Sequence, residues 1–241
     1  MDALKLPMTF DSARLLDALL SVEQSISWHT HPDYTVAKPG AWTAVALIGP
    51  PGSGVQDARS LRYRGEKGVE TDLLKASPYF QQVLEEFKTD IHRARLMNLK
   101  PGTDISPHRD YGHQRYSLER GFIRVHIPLR THERVAFLIN GNRIPMQPGE
   151  AWYTNVCEPH AVKNESDVHR VHLVLDMKVN DWVLAMFPEQ SPLQRLRGVV
   201  LRNFERPYIN ARTAVVTGLV PLKRRLGDLG LRRLRDAMRP N

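Results

Sequence analysis

In "ISPHRDYGHQ", residues 105 to 114, a histidine stands two positions before an aspartate. On a strand or strand end, residues i and i+2 project to the same face, so His108 and Asp110 offer an imidazole and a carboxylate to one point. Two imidazoles and one carboxylate on one face of an octahedron hold iron(II) and leave the remaining positions for a cosubstrate and dioxygen. The third donor must then come from a distant strand that closes beside the pair. His160, in "GEAWYTNVCEPHAV", suits that place, because it follows a "QPGE" turn and an expected strand and opens another. Ten residues further on is Arg170. If the cosubstrate is 2-oxoglutarate, its keto-acid end chelates iron and its far carboxylate needs a cationic fork, which a guanidinium supplies bidentately. A single His-x-Asp is weak evidence and is commoner on surface turns; the ordered set His108, Asp110, His160 and Arg170 is much stronger.

Those four residues need strands to position them. From residue 93 to 178 short segments with period-2 alternation are separated by "KPG", "INGN" and "QPGE", the texture of an antiparallel barrel or sandwich. In "GFIRVHIPLR", Ile123, Val125, Ile127 and Leu129 share one face, and Phe122, Arg124, His126 and Pro128 share the other. In "HRVHLVLDM", Val171, Leu173 and Leu175 oppose Arg170, His172 and Val174. A solvent face would favour Lys, Glu and Thr, so Arg and His among Phe and Val point to a polar pocket inside a barrel. Upstream, Leu15, Leu16, Leu19 and Leu20 follow a capping Asp11/Ser12 at helical spacing, predicting a helix over 11–22. Residues 41–49 read as a strand followed by a Pro/Gly-rich loop. Residues 71–89 read as a helical stretch with Leu73, Leu74, Phe80, Val83, Leu84 and Phe87 on its apolar face.

The bulk composition sets limits on this reading. The 241 residues, 41% hydrophobic and 25% charged, suit one globular domain over 1–190, with N-terminal support in 1–92, a motif-bearing core in 93–178 and an extension over 191–241. No apolar run is long enough to span a bilayer and the first residues lack signal-peptide order, so the expected location is the cytoplasm. The single cysteine, Cys157, excludes an intrachain disulfide and cysteine-rich zinc frameworks. The net charge of +8 is mainly a property of the extension, where Leu226, Leu229, Leu231 and Leu234 are interleaved with arginines. Such basic amphipathic helices are suited to packing on the body or on a homodimer partner, or to peripheral contact with a membrane or another anionic surface, and a disordered extension is the remaining alternative. Few aromatics are interleaved, so specific nucleic-acid binding gains no support.

The stretch from about 94 to 177 resembles the aspartyl/asparaginyl β-hydroxylase family of Fe(II)/2-oxoglutarate-dependent dioxygenases. The resemblance is carried by "LKPGTDISPHRD", "RVHIPL", "PGEAW" and "HAVKNESDVHRVHLVLD", about a third of the chain, and the spacing of His, Asn and Arg in the last motif is its most specific part. It implies a double-stranded β-helix (jelly-roll, cupin-like) fold, with His108, Asp110 and His160 as iron ligands and Arg170 as the 2-oxoglutarate anchor. It also implies that His126 lines the pocket towards the cosubstrate and Arg124 towards a substrate carboxylate or the cosubstrate. The implied reaction consumes O2 and 2-oxoglutarate, releases succinate and CO2, and hydroxylates an unactivated C–H bond of an amino acid that is free, within a peptide or carrier-bound. A lipid acyl hydroxylase and a non-catalytic cupin-like binding module remain alternatives. Tyr111, Arg115 and Arg120 fall in an interval longer than in compact members of the family and are candidates for a substrate lid.

Several residues have plainer readings. For His126 and His172 a satisfied core histidine competes with a pocket role. His113, His132 and His169 read as exposed, and Trp42 and Trp152 as core packing more than pocket wall. Arg62 and Arg64 read as a solvated loop, Asn164 as turn support and Cys157 as a small packing residue.

Overall fold

Between residues 91 and 178 the chain changes sheet at nearly every connection, and this alternation builds the molecule. The computed structural model describes residues 1–31, 36–51, 67–110 and 117–189, together with Gly198. The strands β5 (Ile91–Leu99), β7 (Phe122–Arg130), β10 (Glu150–Thr154) and β12 (Arg170–Lys178) join one sheet, and β6 (Thr103–His108), β8 (Val135–Ile139), β9 (Asn142–Ile144) and β11 (His160–Asn164) the other. The small sheet runs β6-β11-β8-β9, and all its pairings are antiparallel. The large sheet is extended by β1 (Ala3–Thr9) beyond β10, and by β3 (Trp42–Gly49) and β2 (His29–Thr30) beyond β5, with β4 (Val69–Glu70) also pairing with β3. The result is the jelly roll, or double-stranded β-helix, expected from the sequence.

The turns explain why the strands change direction where they do. Asn140 and Gly141 both have positive φ, 51° and 80°, which is the tight hairpin conformation that joins β8 to β9. Gly149 in "QPGE" has φ +82°, and a Cβ there would run into the carbonyl oxygen of Phe10. That glycine lets the segment after β1 lie directly on the turn, with Phe10 N–H donating to Gly149 O at 2.9 Å.

The large sheet is buried on both faces, in two different ways. Outward, Val45, Leu47, Leu96, Ile123, Val125, Ile127, Leu173 and Leu175 form one apolar core with helices α1 (Ser12–Glu23), α2 (Asp72–Lys75) and α3 (Pro78–Glu85). Inward, the alternate residues meet the small sheet across the cleft that holds the polar side chains. The alternation read in β7 and β12 is therefore the division between helix-covered core and cleft.

Helix α1 starts where expected: the Asp11 carboxylate caps it by accepting from Ala13 and Arg14 N–H. It packs through Leu15, Leu19 and Val22, whereas Leu20 is 45% exposed. The expected single helical stretch over 71–89 is two helices. Pro78 has no N–H and forces Ser77 out of helical backbone (φ −123°, ψ 79°), ending α2 and starting α3 at its first position. The apolar face is nonetheless as read, with all six of its residues buried. Strand β1 is an addition, since "ALKLPMT" gave no expectation of a strand. The extension over 191–241 (Gly198 apart), the Arg62 and Arg64 loop, Tyr111, His113 and Arg115 lie outside the described residues. No helix among the described residues is long and apolar enough to cross a membrane.

Candidate metal centre and active site

His108 ends β6 and His160 begins β11, and the two are direct cross-strand partners. Their rings stand 4.2 Å apart between centroids. Asp110, just past the end of β6, is held to the segment before β11 by its own N–H donating to Val156 O at 2.9 Å. The intervening Arg109 strengthens that seam, donating to Cys157 O (3.1 Å) and Glu158 Oε2 (3.3 Å). One ligand-capable atom from each of His108, Asp110 and His160 lies within 4.8 Å of the others.

The ring orientations are also set by backbone. Nδ1 of His108 lies 2.8 Å from Ser106 O, and Nδ1 of His160 lies 3.0 Å from Glu158 O. A carbonyl can only accept, so each Nδ1 carries the proton and each Nε2 is left with its lone pair. Those Nε2 atoms are 3.7 Å (His108) and 4.0 Å (His160) from Asp110 Oδ1. Burial pushes the His160 imidazole down to about 4, keeping it neutral at pH 7. Three donors converging with free lone pairs can hold a divalent cation.

Arg170 opens β12, on the far side of a turn built by Asn164. The Asn164 amide donates to Leu99 O, Lys100 O and Val168 O, and its oxygen accepts from Ser166 N–H and Oγ. This one side chain fixes where His160 leaves and Arg170 returns, in keeping with its reading as turn support. Arg170 is 3% exposed, donates to His172 Nδ1 at 2.8 Å and leaves its Nε without a hydrogen-bond partner. Among the described residues no carboxylate pairs with it, and burial alone lowers its pKa to about 9. His126 lies in the same cleft with neither ring nitrogen hydrogen-bonded, and its ring meets Phe137 and His172 edge-on. Burial, with Arg170 and Arg124 nearby, pushes its pKa far down. A buried guanidinium and a buried imidazole with unmet hydrogen-bonding capacity form a cradle suited to a carboxylate.

A profile of the family described as Aspartyl/Asparaginyl beta-hydroxylase matches residues 15–179. The chain belongs to this family. It is 26% identical over 200 residues to an L-proline cis-4-hydroxylase of Rhizobium meliloti (strain 1021), a match covering 82% of this chain and 63% of that protein. The chain thus spans under two thirds of that relative's length. Among solved structures it is similar to an oxidoreductase of the 2OG-Fe(II) oxygenase family from Burkholderia pseudomallei, with TM-score 0.48, 16% identity and coverage of 73% of this chain and 84% of that one. It is also similar to a prolyl-4-hydroxylase from Pseudomonas putida, with TM-score 0.44, 11% identity and coverage of 74% and 93%.

Within this member of the aspartyl/asparaginyl β-hydroxylase family, Arg124 has partners the sequence did not suggest. Its Nε donates to Asp176 Oδ1 at 2.7 Å, and its Nη1 donates to Asp110 Oδ2. In the structure its guanidinium is paired with two of the protein's own carboxylates. Asp176 is wholly buried and also pairs with Arg93 (2.6 Å) and Arg95 (2.9 Å). Burial alone would raise its carboxyl; Arg124, Arg93 and Arg95 outweigh that and hold it far below the usual carboxylate range. For Asp110 too, burial pushes the pKa up, but Arg124 together with His160 and His108 outweighs it, and the net shift is downward.

Arg93, Arg95 and Asp176 were missed, although the period-2 pattern contains them. Register places Arg93 opposite Asp176 opposite Arg124 in one row, and Arg95 opposite Val174 opposite His126 in the next. Extending the alternation of β7 and β12 to "IHRARLMNL" would have put both arginines on the cleft face. Other residues that the sequence singled out are placed more simply. His169 is exposed, and His172 is a buried partner of Arg170. Trp152 is half-buried and donates to Glu150 Oε2 at 2.9 Å. Arg120 lies in the 3-10 turn before β7.

Proposed function

We propose that this protein is an iron(II)- and 2-oxoglutarate-dependent oxygenase that hydroxylates an unactivated C–H bond of an amino-acid substrate. The observation that carries the reading is the pairing of a three-donor His108/Asp110/His160 set with a buried, carboxylate-free Arg170 in one cleft. The donor set fits iron(II): two imidazoles, each with its Nδ1 turned to a backbone carbonyl, and one carboxylate leave half an octahedron open. The unmet Nε of Arg170 and the bare nitrogens of His126 fit the far carboxylate of 2-oxoglutarate. Bound there, the metal and 2-oxoglutarate supply the oxidising chemistry, in which O2 is consumed, CO2 and succinate leave, and one oxygen atom becomes the new hydroxyl group.

The protein's own part is positional. Ser106 O and Glu158 O hold the two imidazoles in one tautomer, and Arg124 keeps Asp110 ionised and pointed at them. His172, neutral by burial, accepts from Arg170 and orients the guanidinium. The small sheet and the half-buried Trp42 and Trp152 shield the cleft from water. The relative that hydroxylates L-proline supports an amino-acid substrate for this chain.

Anaerobic addition of iron(II) and 2-oxoglutarate to the full chain is expected to give a weak visible charge-transfer band, and admission of oxygen to give succinate. His108→Ala should abolish iron binding, and Arg170→Ala should weaken 2-oxoglutarate by at least about 100-fold, since it removes a charge-assisted bidentate contact. Iron bound equally well by His108→Ala would sink the proposal. A band without substrate-stimulated succinate would leave a binding module instead.

A further inference from the structure

Arg170 lies at one end of the cleft and the donor set at the other, with Phe137 between them. The guanidinium carbon of Arg170 stands 5.9 Å from the Phe137 ring centroid, the His160 ring lies nearly parallel to Phe137 with centroids 6.3 Å apart, and His126 meets the same ring edge-on. A ligand stretched between the guanidinium and the donor set therefore passes Phe137 and His126. At the donor-set end, beside Asp110, is Thr154, a residue to which the reading above gives no part.

Thr154 closes β10. It is in register with Arg124, as Trp152 is with His126, so its side chain shares the inward face with them. Directly opposed residues on one face of an antiparallel pair bring their Cβ atoms to about 5 Å, and Arg124 is the residue that holds Asp110. The backbone draws Thr154 to the same place: its carbonyl accepts from Val156 N–H at 3.1 Å, and Val156 O accepts from Asp110 N–H at 2.9 Å. On its other side Ala3 of β1 completes the row. Thr154 is 0% exposed, and its hydroxyl has no hydrogen-bond partner among the described residues. A buried hydroxyl left unpaired is a net cost to the fold. Valine has the same branched shape and an equal liking for strands, so neither packing nor propensity accounts for a threonine at this position.

We propose that the Thr154 hydroxyl is a cosubstrate-binding donor that bonds to the keto-acid end of 2-oxoglutarate, whose carboxylate supplies the acceptor that no described residue provides. The inference rests on the oxygenase reading above. It adds a contact at the end opposite Arg170, so that the two ends of the molecule are recognised by different groups and its direction in the cleft is fixed. A hydroxyl suits the place because it brings no charge to the side of Asp110 and can turn its proton to whichever carboxylate oxygen is presented.

The test is calorimetry under nitrogen on the full chain loaded with Mn(II), titrated with 2-oxoglutarate and, separately, with oxalate, which presents a chelating end and no far carboxylate. Thr154→Val should weaken 2-oxoglutarate by about tenfold to 100-fold, the worth of one hydrogen bond to a charged acceptor, and oxalate by a similar factor. Arg170→Ala should weaken 2-oxoglutarate and leave oxalate unchanged. Thr154→Ser, which keeps the hydroxyl, should recover most of the affinity. Without ligands, Thr154→Val should unfold in urea at the native midpoint or above it, because it removes an unpaired group, and it should bind Mn(II) as the native protein does. Failure of the native protein to bind 2-oxoglutarate would count against the oxygenase reading itself. With that binding intact, the present inference is overturned if Thr154→Val binds 2-oxoglutarate as tightly as the native protein, if it loses affinity for 2-oxoglutarate but not for oxalate, or if its urea midpoint or Mn(II) affinity falls, which would make the threonine structural.

Discussion

The two faces of the large sheet are made by the same strands and are equally buried, yet they are built on opposite principles. On the helix side, β12 presents Val171, Leu173, Leu175 and Met177, each 0% exposed and each interchangeable in kind. On the cleft side the same strand presents Arg170, His172, Val174 and Asp176. Dispersion and water exclusion hold the first face, so its cost of error is graded by volume. Matched charges hold the second, and there a missing partner strands a charge in low dielectric. The apolar face can therefore act as a rigid back for a face whose groups are kept under-satisfied until ligands arrive.

The comparison is broken most sharply at Asp176. Asp176→Asn keeps the shape but leaves Arg93, Arg95 and Arg124 facing one another, and is expected to cost about 3 to 5 kcal/mol in urea unfolding. A cost below about 1 kcal/mol would mean that the arginines do not depend on this carboxylate. The variant should also loosen Asp110 through Arg124, weakening metal binding beyond what its stability explains.

On the opposite face, Leu173→Ala three residues earlier should cost about 2 to 5 kcal/mol by the same assay, towards the lower end where neighbours close in. Its iron and 2-oxoglutarate affinities should match the native protein. Altered metal affinity here would show that the two faces are not independent.

The smallest effect is a pH dependence confined to the cleft. Burial holds His126 and His172 neutral, with pKa values far below the usual 6.5. Unfolding below that pH lets each take up a proton, so their contribution to stability is full above about pH 6.5 and is lost as pH falls further. In metal-free protein each should give a slope of up to about 1.4 kcal/mol per pH unit below that point. His126→Gln should flatten the curve measured by urea unfolding at successive pH values, whereas Leu173→Ala should shift it without changing its slope.

How much could be read from the chain differs between the two faces. Alternation in "GFIRVHIPLR" and "HRVHLVLDM" is a local property, so the helix-covered face, the cleft face and the jelly-roll class were all legible. The candidate site was legible through His108, Asp110, His160 and Arg170 because strand ends and turns put them at spacings with few other purposes. Pro78 was equally visible in the sequence, but the continuous apolar face across it masked the break between α2 and α3. Strand β1 was illegible because an edge strand with a Pro in it carries little pattern of its own and is stabilised by β10.

The sequence by itself determined which residues lie on which face and which donors could meet, since backbone periodicity requires no knowledge of neighbours. Only the tertiary structure decided what meets what. Register between β5, β12 and β7 gathers Arg93, Arg95 and Arg124 around Asp176, and the edge pairing at β3 lays His31 on Trp42. These contacts join residues tens of positions apart, and charge pairing depends on distances of a few ångströms that no local pattern encodes.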